Sequence, residues 1–228
     1  MRSLIPSTAW GLLWLAFSMA AFGTTLNVTS QPFNVDNGGG FTAYLDNNTG
    51  NTFEVFCIDY RNFVSVPESF TVNVDTLPND ADTRYGTTSA GSFSFYGPGL
   101  SALDRYILVA WLTTQFDQSN PTGDRDKSIQ DAIWNLLDVD NVNHNDGSAV
   151  STWVSNAEAW ESGLSSQAKA DFESQIRIFT SSDVSGTSTP NRYTTGNQEF
   201  ITVTPEPMAL LLVGTGLLAV GLLRRPKS

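Results

Sequence analysis

The hydrophobic period changes twice along this chain, and that limits its fold more than any other feature. From Thr24 to about Val74, short apolar runs alternate with polar residues and are broken by turn formers. Leu26-Asn27-Val28-Thr29 alternates, Gly38-Gly39-Gly40 marks a turn, and Phe41 to Leu45 follows as a strand. Asp46 to Asn51, DNNTGN, is dense in turn formers. Phe53 to Tyr60, FEVFCIDY, is apolar on both faces, as a central strand is, and Ser69 to Val74 alternates again. Then the period lengthens. In Ser101 to Phe116, Leu103, Tyr106, Ile107, Ala110 and Trp111 recur every three to four residues, and Ser101 with Asp104 has the spacing of a capping box. Ser128 to Leu137, Ala149 to Trp160 and Gln167 to Thr180 also read as helices, and Arg192 to Val203 reads as a last strand. This order predicts an α+β domain, a β-sandwich or barrel-like body with an inserted helical subdomain.

The chain has 228 residues, of which 40% are apolar, including six Trp and fourteen Phe. Residues 24–204 are expected to form one domain with a real core. The formal charge is −11, and setting aside Arg2, Arg224, Arg225 and Lys227 at the ends leaves a balance of about −15. Such a surface repels phosphate, so nucleic acid is excluded as a partner.

Both ends have a character of their own. Arg2 precedes an apolar run from Trp10 to Phe22, and small residues at Ala21 and Gly23 suit cleavage before Thr24. Residues 1–23 therefore read as a secretory signal peptide; the run is short for a spanning helix. At the other end Pro205-Glu206-Pro207 precedes sixteen apolar or small residues, Met208 to Leu223, and Arg224, Arg225 and Lys227 follow. As a helix, 208–223 would rise roughly 24 Å at 1.5 Å per residue, a little short of a hydrocarbon core of about 30 Å. Snorkelling arginines can cover the mismatch, and their charge favours the cytoplasmic side. The two prolines hold an extended stretch before the span.

In these three parts, residues 205–228 resemble the PEP-CTERM sorting signal. The resemblance rests on Pro205, Glu206, Pro207, the apolar span and the Arg224-Arg225 pair. It implies a Gram-negative host, an exosortase as partner, and transient anchoring in the inner membrane by a transmembrane helix at 208–223. The destination would be the cell surface or the exopolysaccharide.

The one cysteine, Cys57, sits in Phe56-Cys57-Ile58-Asp59, and Ile129-Gln130-Asp131-Ala132-Ile133-Trp134 opens a predicted helix. Taken singly, a free Cys is most often a small buried apolar residue, and Gln is mostly solvent-facing. Together, with the helix Ser101 to Phe116 between them, the two segments resemble the paired motifs of bacterial surface thioester domains. The resemblance spans roughly residues 41–200 and is weak outside the motifs; Ile129 stands where the commonest form has Thr. It implies a cross-link between the Cys57 thiolate and the Gln130 side-chain carbonyl, with loss of ammonia. Such a bond is an activated acyl donor that must be shielded from water, and Phe56, Trp111 and Trp134 are the candidate shield. An amine on a surface ligand or an amino sugar would take the acyl group. A lone Cys fits, since a second thiol could exchange with the thioester.

Other chemistry is less well supported. His144, the only histidine, lies in an Asn/Asp loop at 138–147 and reads as solvated. One His and one Cys do not make a zinc site. Asp138, Asp140, Asn143, Asn145 and Asp146 supply oxygens for calcium but miss the EF-hand spacing, so an Asx-rich turn is the better reading. No spacing singles out a carboxylate pair for a hydrolase. The expectation is therefore a non-enzymatic adhesion or matrix-attachment protein with a Cys57–Gln130 thioester, without metal or cofactor, that couples to an amine-bearing surface ligand or extracellular polysaccharide. The competing expectation is a non-covalent structural or carbohydrate-binding matrix protein with an inert Cys57.

Overall fold

The computed structural model describes residues 23–35, 38–60, 62–80, 82–84, 99–117, 119, 123–137, 148–182 and 197–204. The leader, the sorting tail with its apolar span, and the 138–147 loop with His144 lie outside them. Among the described residues, no helix is long and apolar enough to cross a membrane.

Six antiparallel strands close into a barrel: β1 (Thr24–Val35), β2 (Gly38–Leu45), β3 (Phe53–Cys57), β4 (Glu68–Thr76), β5 (Ile176–Ser181) and β6 (Phe200–Val203). Their order around the barrel is β1-β2-β3-β6-β5-β4. Of the sandwich and the barrel, the chain forms the barrel. Four helices, α1 (Ala102–Thr113), α2 (Asp124–Leu137), α3 (Ser148–Ser162) and α4 (Ser166–Gln175), all fall between β4 and β5. Since β4 and β5 are paired neighbours, from Val72↔Ser181 to Thr76↔Arg177, the helical subdomain is an excursion out of one strand pair. It folds back on the barrel, α1 against β6, α2 against β1 and α4 against β4.

Local chemistry accounts for most of the boundaries. Ser101 caps α1 in extended conformation, with its hydroxyl accepting from Asp104 N–H and the Asp104 carboxylate accepting from Ser101 N–H. The 46–51 turn is fastened where Asp46 takes φ +52°, which a short polar side chain tolerates, and its Oδ1 accepts from Thr25 N–H. Several boundaries differ from the sequence reading. The Gly38-Gly39-Gly40 run, read as a turn, is strand and opens β2, and α2 begins at Asp124 rather than Ser128. The segment 167–180 is helical only to Gln175, because Ile176 turns extended and opens β5. Within the stretch from Arg192, only Phe200–Val203 is strand among the described residues. β3 ends at Cys57: Ile58 keeps one cross-strand bond, its N–H donating to the Glu199 carbonyl, and Asp59 turns to a buried ion pair.

The barrel's apolar residues and the inward faces of α1 and α2 form one core, which includes Leu26, Val55, Cys57, Ile107, Ile133 and Phe200. Phe41 of β2 meets Phe200 of β6 edge-on and Phe53 of β3 stacks on Phe179 of β5, so each aromatic pair links strands two apart around the barrel.

Candidate functional site

Cys57 ends β3, and the start of β2, the approach to β6 and the middle of α2 converge on it. β3 pairs with β2 through Gly40↔Phe56 and with β6 through Cys57↔Phe200. The β6 seam brings Gln198 to the sulfur, and the β2 seam brings Gly38 and Gly39 to the Gln130 side chain. Cys57 is fully buried, and so is Gln130 on α2. The solvent-facing position that Gln usually takes is therefore not the one Gln130 has.

Two hydrogen bonds fix the Gln130 amide. Its Oε1 accepts from the Gly39 backbone N–H at 2.7 Å, and its Nε2 donates to the Cys57 carbonyl oxygen at 3.1 Å. Gly39 N–H can only donate and the Cys57 carbonyl can only accept, so the amide has one orientation. Its carbon is thus held between a backbone donor on its oxygen and the backbone of the cysteine. Gly39 has φ +93°, a conformation that a side chain would strain, and this aims its N–H at the glutamine. At Gly38, a Cβ would stand 2.7 Å from Gln130 Cδ and 2.7 Å from Trp134 Cζ2. The glycine run read as a turn is the start of β2 instead, and it forms the bed on which the Gln130 amide lies.

The sulfur sits among donors and apolar rings. Gln198 Nε2 lies 2.6 Å from Sγ and 3.2 Å from the Asp59 carbonyl, and Sγ faces that same carbonyl at 3.4 Å. Burial, reinforced by the Asp59 carboxylate, pushes the Cys57 thiol up to about 12; the side chains of Trp134 and Gln198 pull the other way. The free thiol is therefore protonated at neutral pH.

Of the three rings expected as a shield, Trp134 is buried beside Gly38 and the Gln130 amide, and Tyr60, 44% exposed, stands edge-on to it at 5.1 Å. Phe56 stacks on Phe116, which meets Phe33 edge-on, and Phe33 lies against Gly39. Trp111 stacks on Trp160 of α3, and Trp160 meets Phe172 of α4. Its ring contacts belong to the helical layer rather than to the cysteine.

A polar cluster lies next to the site on the same strand ends. The Glu199 carboxylate is fully buried, accepting from Arg84 N–H at 2.7 Å and Thr180 Oγ1 at 2.5 Å on one oxygen and from Tyr106 OH at 3.0 Å on the other. Arg84 Nε pairs with Asp59 Oδ2 at 3.1 Å, and Asn62 Nδ2 donates to that same oxygen at 2.7 Å. Burial pushes Glu199 up to about 7 although the Arg84 charge holds it down.

Sequence reasoning singled out Cys57, Gln130 and Trp134, and these meet. It missed Gly38 and Gly39 as site residues, and also Gln198, Glu199 and Arg84. No local motif marks these last three, and Gln198 comes to the sulfur from 141 residues along the chain. Among the described residues, no group of three His, Cys, Asp or Glu side chains could hold a metal ion. No family model matches this chain, and no curated protein or solved structure matches it.

Proposed function

We propose that this protein is an exported surface or matrix-attachment module whose barrel carries an internal Cys57–Gln130 thioester and couples covalently to amines. The observation that carries the proposal is the Gln130 amide. It is fully buried, held on the Cys57 backbone, and its carbonyl oxygen takes the Gly39 N–H. Any buried amide must satisfy its oxygen; here the donor is a backbone N–H presented from a conformation that glycine adopts most easily, while the amide nitrogen rests on the Cys57 backbone. Attack of sulfur on the amide carbon places negative charge on Oε1, where the Gly39 N–H is already directed. Loss of ammonia leaves the thioester, and the rings around Trp134 and Phe56 limit its contact with water. An amine on a surface ligand, or on an amino sugar of the extracellular polysaccharide, then takes the acyl group, and the product is an amide that does not dissociate.

Export and sorting rest on the sequence of the two ends. Residues 1–23 would direct the chain across the inner membrane, and 205–228 would hold it there for an exosortase.

A second reading is favoured by the thiol itself. Cys57 is fully buried with its thiol pushed up to about 12, as suits an inert core residue in a non-covalent matrix protein. Intact mass separates the two. Wild type should be lighter than its sequence by about 17 Da, one ammonia, and should gain methylamine on treatment. Cys57→Ala and Gln130→Ala should show neither change. Full sequence mass in the wild type, with a thiol that labels only after unfolding, would leave the second reading standing.

A further inference from the structure

Gln198 precedes β6 at the seam where Cys57 pairs with Phe200 and Ile58 N–H donates to the Glu199 carbonyl at 3.2 Å. Residues two apart on an extended segment share a face, so Gln198 lies on the face of Phe200 and of its partner Cys57. The side chain is 2% exposed. Both neighbours of its Nε2, the sulfur and the Asp59 carbonyl, offer lone pairs, so the amide nitrogen and not the oxygen faces them. A neutral donor thus points at the reacting atom from the strand opposite the one that bears it.

We propose that Gln198 is a catalytic residue of this site, stabilising negative charge on Cys57 Sγ both when the sulfur attacks and when it leaves. The proposal rests on the Cys57–Gln130 thioester proposed above. When the thioester forms, Sγ bonds to Gln130 Cδ, the Cδ–Nε2 bond breaks, and the thiol proton leaves with the nitrogen as ammonia. When an amine opens it, the new C–N bond replaces C–S and the amine's proton passes to Sγ. Neither step changes oxidation state. In both, the sulfur carries excess charge in a site from which water is excluded, where a fixed donor is worth most. The Gly39 N–H serves the oxygen of the same carbonyl, so oxygen and sulfur each have a donor from a different strand end.

The test uses the full chain with Gln198→Leu and Gln198→Glu, and follows methylamine incorporation by intact mass from the ammonia-free fraction. Q198L should open roughly 10- to 100-fold more slowly than wild type, the effect of one hydrogen bond to a charged group. Q198E keeps the shape but faces the sulfur with a carboxylate. Its rate relative to wild type should rise as pH falls and the carboxyl regains a proton to donate, a recovery that a role confined to packing does not give. If Q198L does not fold, the pH-dependent ratio of Q198E decides alone. Opening by both variants at the wild-type rate at every pH would overturn the assignment of Gln198 and leave the thioester intact. A wild type that shows neither the mass deficit nor the adduct would overturn both.

Discussion

Replacing Glu199 with Gln should flatten the pH dependence of folding stability around neutrality. The carboxyl is fully buried, and its pKa rises from an ordinary 4.5 to about 7. The folded state therefore holds this proton more tightly than the unfolded chain does. The stabilisation is complete below about pH 4.5 and is lost as pH rises through about 7. A difference of roughly 2.5 units at 1.36 kcal/mol each gives about 3 kcal/mol between those limits. Gln mimics the protonated acid: its carbonyl can still accept from Arg84 N–H, and its amide can donate to the Tyr106 oxygen. Urea unfolding followed by tryptophan fluorescence, from about pH 4 to about pH 8, should show wild type losing roughly that amount relative to E199Q. Asp75 adds a slope of the same sign, since burial, with Asp82 and Asp80 nearby, pushes it up to about 6. It is present in both proteins, so the difference between them isolates Glu199. Parallel stability curves would refute the reasoning and mean that Arg84 keeps Glu199 ionised throughout.

Two further substitutions probe the site's bed and its neighbouring ion pair. Gly38→Ala puts a Cβ 2.7 Å from Gln130 Cδ and Trp134 Cζ2. It should cost about 1–3 kcal/mol by overpacking and lower the ammonia-free fraction; unchanged melting temperature and mass would show that the α2 side chains move aside freely. Arg84→Met leaves Asp59 and Glu199 buried without their cation, which should cost about 3–5 kcal/mol at pH 8. The loss should shrink in acid as Glu199 takes a proton, and an equal loss at both pH values would place the role of Arg84 in packing alone.

The strands and the helical insert were legible because each arises from local periodicity, whereas closure into a barrel rather than a sandwich rests on long-range strand pairing and was not. Ser101 and Asp104 announced the start of α1 through a motif four residues long, and the chain uses it. β5 was hidden because Phe172, Ile176 and Phe179 also recur at helical spacing. What turns Ile176 extended is not local: Arg177 to Ser181 pair with Val72 to Thr76, completing the barrel between β4 and β6. The site divides in the same way. Cys57 and Gln130 could be paired in advance only because two motifs resemble a known pattern. Gly39, Gln198, Glu199 and Arg84 reach the site through contacts spanning from 91 to 141 residues, which no window of sequence contains.

A thiol held near 12 and a thioester look opposed, yet one cause underlies both. Burial disfavours the thiolate because the site has little water to solvate charge. That same dryness would keep water from hydrolysing the acyl bond once formed, and the bond itself carries no charge for burial to penalise. Burial thus disfavours the ionised thiolate and would spare a neutral thioester, so it opposes ionisation without opposing the proposed acylation. What burial cannot supply is the passage between them, in which oxygen and sulfur bear transient charge. Buried donors stand at those atoms, Gly39 N–H at Gln130 Oε1, and Gln198 Nε2 together with the Trp134 side chain at Cys57 Sγ. A site meant only to fill the core would have been cheaper to build with an apolar residue at 130 and at 198, since a buried amide must find partners for every polar atom it brings.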